Sequence, residues 1–145
     1  MRIVPATLYP YDLRTPVVSL RLRADPRAPG RVRAVLREVF RDLMVAEEDA
    51  SDGEVMASEL ATNALAHAPE PYAFTVSDAG SWLVCEMADG GPPVPLFDRA
   101  AAGADADPPS AGGRGLLLVR RLSGGRCGIR PLAPGKAVWF AIAFH

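Results

Sequence analysis

The sequence predicts an α+β fold, a two-layer α/β sandwich whose mixed, mostly antiparallel sheet carries its helices on one face. Three observations lead there. Short segments alternate apolar and polar residues with period two, and longer ones repeat apolar residues every three or four positions. The two kinds follow one another as β-α-α-β-β-loop-α-β-β. The chain of 145 residues, 49% hydrophobic and 23% charged, is long enough for one domain with a buried core and has no composition of wholesale disorder.

Residues 1–16 contain Pro5, Pro10 and Pro16 and no periodicity, so they read as an extended arm ahead of a single domain, 17–145. In "VVSLRLRA", Val18, Leu20 and Leu22 alternate with Ser19, Arg21 and Arg23, the pattern of a half-buried strand. Asp25-Pro26 reads as a cap and first-turn proline for an amphipathic helix carrying Val32, Val35, Leu36, Val39, Phe40 and Leu43. "SDGE", Ser51 to Glu54, has the form of a capping box, which predicts a second helix from there to about His67, stopped by Pro69 and Pro71. "YAFTVSD" and "SWLVCEMAD" around Ala79-Gly80 read as a hairpin. Gly90 to Gly113 is Gly, Pro, Ala and Asp with little to bury, a stretch that is functional or disordered. "RGLLLVRRL" then predicts a helix, and "RCGIRPL" and "KAVWFAIAF" two closing strands around "APG".

Charge and cysteines exclude some functions. A net charge of −1 provides no basic field for nucleic acid and no polybasic patch for a membrane. No apolar run is long enough to span a bilayer, and the first residues lack the apolar core of a secretory signal, so the expected location is cytoplasmic. Cys85 and Cys127 are in neither CxxC nor metal-ligand spacing and read as two reduced structural thiols. Lys136 is the chain's one lysine among 16 basic residues, which reads as the arginine-rich coding of a GC-rich genome.

Three constellations bear chemistry. In "SELATNALAHA", Glu59, Asn63 and His67 follow each other at four-residue steps and so share a helical stripe, while Ala57, Leu60, Ala61 and Ala64 form a side able to pack closely on a sheet. A carboxylate beside an amide oxygen suits Mg²⁺ and phosphate chemistry, with Asn63 as one hard ligand and Glu59 orienting or deprotonating a hydroxyl. Two solvated surface residues are the plain alternative, and His67 reads more simply as a helix-end residue near the last carbonyls. In "ADGGPP", Asp89 ends a hydrophobic strand and can accept a hydrogen bond from an exocyclic amine, with Gly90 and Gly91 letting a flat ring approach the backbone; a strand-ending turn is the alternative. In "GGRGLLLV", Gly112, Gly113 and Gly115 open a helix whose free N–H groups suit a phosphate, or simply give it a flexible entry.

Taken in order, the three make a coherent nucleotide pocket, and here the residues resemble a known family. "ELATNALAHA" resembles the N box, "ADGG" the G1 box and "GRGLLLV" the G2 box of the GHKL ATPases, which share the Bergerat, or histidine-kinase-like ATPase, fold. The short chain is most similar to the anti-sigma-factor serine kinases, particularly the small ATP-binding regulators of actinobacteria, over roughly residues 17–144. The resemblance implies ATP and Mg²⁺ as cofactors, Glu59 as catalytic base and Asn63 as the Mg²⁺ ligand. It further implies Asp89 as the adenine anchor with Gly91 beneath the ring, Gly113, Arg114 and Gly115 at the phosphates, and residues of about 96–112 as an ATP lid.

The function it implies is a protein serine/threonine kinase that regulates transcription by partner switching. Such a protein sequesters a sigma factor and phosphorylates a small anti-sigma-factor antagonist on serine. Relatives of this type are often dimers, so a homodimer is compatible with the resemblance. The lid contains one basic residue, Arg99, with Arg114 at its edge, which keeps open a second reading as a catalytically weak or inactive ATP-binding switch. The catalytic domain of a histidine kinase fits less well, since His67 and His145 are the only histidines.

Overall fold

The computed structural model describes residues 14–93 and 111–144. Its elements come in the expected order. They are β1 (Thr15–Leu22), α1 (Ala28–Asp42), α2 (Glu47–His67), β2 (Tyr72–Asp78), β3 (Trp82–Asp89), α3 (Ala111–Leu122), β4 (Cys127–Pro131) and β5 (Lys136–Ala143). Positions 1–13 of the expected arm and 96–110 of the expected lid lie outside the described residues.

The five strands form one sheet in the order β1-β2-β3-β5-β4, and all four pairings are antiparallel. The sheet, expected to be mixed and mostly antiparallel, is antiparallel in every pairing among the described strands. Chain direction explains this: two consecutive helices between β1 and β2 return the chain to the end it left, and short turns join β2 to β3 and β4 to β5. β5 inserts between β3 and β4, so those two strands never pair.

The predicted start of α1 shifts by two residues. The Asp25 carboxylate accepts the Arg27 N–H at 2.8 Å and its carbonyl accepts the Ala28 N–H at 2.9 Å, so Asp25-Pro26 is the turn before the helix, and Arg27 is the N-cap. A larger correction concerns "SDGE". α2 begins at Glu47, one turn earlier, with Ala46 at the N-cap and no side-chain cap. Glu47, Glu48 and Asp49 fill the first turn, where carboxylates favour the positive helix end. Ser51 is thus inside the helix, and Glu54 reaches across to Arg37 of α1 at 2.8 Å.

Between α1 and α2 the chain turns through Met44 at φ 56°, and the Val45 N–H closes back on the Phe40 carbonyl at 2.9 Å. This closes the C-terminus of α1 in the left-handed manner that helix ends favour.

One face of the sheet holds the core. Phe74, Val76, Leu83, Cys85, Met87, Ile129, Phe140 and Ile142 meet Val32, Leu36 and Phe40 of α1, Met56 and Leu60 of α2, and Leu116 and Val119 of α3. The opposite face buries a small separate cluster of Val84, Trp139 and Ala141. Cys85 and Cys127 flank Phe140 from the neighbouring strands, are buried and form no disulfide. Burial pushes both thiols up, Cys127 to about 11 and Cys85 further, as expected of inert structural cysteines.

α2 lies between α1 and α3 and buries the stripe Gly53, Met56, Ala57, Leu60, Ala61 and Ala64. At Gly53 the approach is closest: a methyl there would lie 2.6 Å from Cζ of the Phe40 ring. Inside a helix alanine usually stabilises by about 1 kcal/mol relative to glycine. Here the buried ring cannot withdraw, and overpacking costs about 1–3 kcal/mol. Gly53→Ala should therefore lower the urea-unfolding free energy by up to about 2 kcal/mol; a rise would show that α1 and α2 have room to part.

Candidate functional site

β3 is the central strand, and its last residue, Asp89, faces the first residue of β5, Lys136, in register. The Lys136 ammonium donates to Asp89 Oδ1 at 2.8 Å, and the two side chains are 4% and 2% exposed. The Gly91 N–H donates to the same oxygen, also at 2.8 Å. Asp89 is therefore fixed by two donors at a single oxygen, which leaves Oδ2 for an incoming group.

The chain after Asp89 is pinned to the link between α2 and β2. The Gly90 N–H donates to the Pro69 carbonyl at 2.8 Å, and a methyl at Gly90 would collide with the Glu70 carbonyl oxygen. Gly90 is thus required by backbone packing, as the strand-ending turn of the alternative reading needs, and is not among the residues that line the cavity. Gly91 does line it, and a methyl there would crowd Lys136 Nζ at 3.0 Å. Tyr72 closes the end of α2 by donating to the Ala68 carbonyl at 2.6 Å. Burial, then the carboxylates of Glu70 and Asp89, raise its phenol above the usual range.

A cavity of about 220 Å³ opens between α2, β3, β5 and the start of α3. At roughly 30 Å³ per liquid water it has room for about seven, enough for a flat heterocycle. Leu60, Ala64, Met87, Leu116 and Val138 give it apolar walls, and Asn63, His67, Asp89 and Lys136 place polar groups in it. A mostly apolar concavity with a few polar groups is the usual form of a small-molecule site.

Glu59 does not line this cavity but stands at the entry of α3. A methyl at Gly115 would lie 2.5 Å from Glu59 Oε2 and 3.7 Å from Asn63 Nδ2, so the helix backbone passes directly under both. Gly113 and Arg114 are in the opening turns of the same helix, where backbone N–H groups lack intrahelical partners. The structure thus gathers Asn63, Asp89 and Gly91 into one cavity and sets Glu59 and Gly115 against each other beside it. Among the described residues, no group of three or more His, Cys, Asp or Glu forms a metal cage.

Two cavity residues escaped the sequence reading. His67 is at the end of α2 as expected, yet it also lines the cavity. In the sequence the scarcity of lysine reads as coding bias, with no role for Lys136. Its being the sole lysine in the chain was the available signal, but only the β3–β5 register gives that signal meaning.

Comparison with protein families matches residues 22–139 to the histidine kinase-like ATPase domain. That span is most of the chain, and the chain belongs to this family. Comparison with curated proteins gives no match.

The contact at Gly115 differs from that at Gly53, because a carboxylate at the end of a flexible side chain can swing away whereas a buried ring cannot. Alanine also suits a helix better than glycine by about 1 kcal/mol. Gly115→Ala should keep the unfolding free energy within about 1 kcal/mol of wild type while displacing the Glu59 carboxylate, visible in a crystal structure of the variant. A large loss of stability with Glu59 unmoved would mean that the glycine serves packing alone.

Proposed function

We propose that this histidine kinase-like ATPase domain binds Mg-ATP in the cavity and acts as an anti-sigma-factor-like protein serine/threonine kinase. On this reading it regulates transcription by switching between a sigma factor and a small antagonist that it phosphorylates. The observation that carries the proposal is the meeting of Glu59 and Asn63 with Gly115. It puts a carboxylate and an amide at the helix opening where a phosphate is favoured, next to a cavity that ends in Asp89.

Each residue then has a distinct task. Asp89 Oδ2 accepts from the adenine amine while the apolar walls hold the ring. Asn63 would hold Mg²⁺ through its amide oxygen, and the absence of a built cage among the described residues suits an ion that arrives with the phosphates. When bound, that ion supplies charge neutralisation on the triphosphate. The oxygen of the acceptor serine attacks the γ-phosphorus, its proton passes to the Glu59 carboxylate, the bond to the bridging oxygen breaks and ADP departs.

A second reading, a nucleotide-binding switch with weak or no transfer, draws on the placement of charge. The strong cation lining the cavity is Lys136, which is spent on Asp89 at the base end, away from Glu59 and Gly115. Phosphoryl transfer is helped by cations at the other end.

Two expected outcomes test the proposal. A ligand that binds only the folded protein adds about 2.7 kcal/mol at a hundredfold excess over its dissociation constant. Millimolar Mg-ATP should therefore raise the melting temperature by several degrees, and no shift would exclude the nucleotide site. For the chemistry, Asn63→Ala should weaken Mg-ATP binding and abolish transfer together. Glu59→Gln should keep affinity but slow transfer to the antagonist by roughly 10²–10⁴, the usual worth of a general base. Isothermal titration beside a radiolabelled transfer assay separates the two variants. Wild-type rates from Glu59→Gln would remove it as the base, and a wild type that transfers to no partner would favour the switch.

A further inference from the structure

The Asp89–Lys136 pair is unusual in where it puts its unused bonding capacity. The Lys136 ammonium has three protons, and Asp89 Oδ1 is its one hydrogen-bond acceptor among the described residues. Its side chain is 4% exposed and lines the cavity, so the remaining donors are buried at the wall of a mostly apolar space. Buried donors without acceptors are costly, and a site built this way favours a ligand that completes them. Asp89 offers the complementary group, because both its bonds fall on Oδ1 and Oδ2 has no partner among the described residues. Gly91, donor of the second bond, lies beside both side chains, where a methyl would crowd Lys136 Nζ at 3.0 Å and Asp89 Oδ1 at 3.1 Å.

A free carboxylate oxygen next to a free ammonium proton matches a ligand edge with a donor beside an acceptor. The six-membered ring of an aminopurine has that edge, with an exocyclic N–H next to the ring nitrogen N1. Resting on the ATP-binding reading above, we propose that Lys136 is a specificity-determining residue of the base site. Its ammonium donates to N1 while Asp89 Oδ2 accepts from the amine, so the base is read by a cross-strand ion pair and not by the carboxylate alone. Loss of N1 should then matter as much as loss of the amine.

The test compares Mg-ATP with its 1-deaza analogue, in which a C–H replaces N1 and the amine is kept. By isothermal titration the wild-type chain should bind the analogue roughly tenfold to a hundredfold more weakly, the worth of a bond from a charged donor. Removing Lys136 alone strands a buried carboxylate and can unfold the chain, so the variant of choice is the doubly neutral Asp89→Asn with Lys136→Met. It should bind both nucleotides equally and weakly. Because the chain has one lysine, protein labelled with ¹³C at the lysine ε-carbon gives a single side-chain signal. That signal should move with Mg-ATP and much less with the analogue. Equal binding of the two by wild type, or a lysine signal that ignores ATP, overturns the role of Lys136 while leaving the ATP site intact. Preferential binding of GTP overturns the adenine assignment, and no binding of either nucleotide overturns the ATP reading and this inference together.

Discussion

The close seating of α2 governs everything else in the molecule. Its buried stripe consists largely of Gly53, Ala57, Ala61 and Ala64, so the helix axis can come near the sheet and both neighbouring helices. Were those positions leucines, α2 would ride several ångströms higher. Glu59 and Asn63, on the adjoining face, could then not meet the backbone of α3 at Gly115. Met56 and Leu60 fill what gaps the small residues leave and anchor the helix through apolar burial, worth about 1.5–3 kcal/mol per side chain. The polar stripe on an otherwise core-like helix follows from this seating: one side of the helix packs, and the next presents chemistry to the helix beside it.

Backbone contacts without side chains fix the other end of the cavity. Gly90 lies against the Glu70 carbonyl and Gly135, at φ +95°, against the Asp89 carbonyl. Neither position tolerates a methyl group, and together they hold the ends of β3 and β5 level. Level ends are what allow the register pair Asp89 and Lys136 to meet at 2.8 Å. The two ends of the site thus depend on the same physical device, a glycine where another residue would force elements apart. One sets helix against helix, and the others set strand against loop.

This explains which parts were legible in the sequence. Element types and order follow from local periodicity, and eight elements can be read without knowing any tertiary contact. The start of α2 was misplaced because Ser51 to Glu54 has the form of a capping box, while three acidic residues one turn earlier already serve the helix end. Local rules competed there, and the helix took the longer option. That Glu59 and Asn63 share a helical face and that Asp89 ends a strand was legible, because each placement follows from local spacing. Lys136 was not, since its partner is 47 residues away and only strand register brings them together. Gly90 was read as a place for a ligand when its neighbour is backbone, a distinction that spacing cannot make.

The ion pair also bears on how charge is divided along the cavity. A buried salt bridge is weak evidence for stability, because desolvation offsets much of the attraction, while removing one partner costs about 3–5 kcal/mol. An apolar pair at Asp89 and Lys136 would hold the strand ends equally well, so stability alone does not account for the residues found there. On the reading proposed above, specific recognition does, since a carboxylate and an ammonium kept dry offer a ligand one acceptor and further donors. The cost is that the cavity's strong cation is committed to one end. At the other end lies the partial positive charge of the α3 N-terminus, which faces Glu59. On that reading, a site divided in this way suits holding and identifying a nucleotide better than transferring a phosphate. On the kinase reading proposed above, the further positive charge that transfer needs would come from a group other than Lys136.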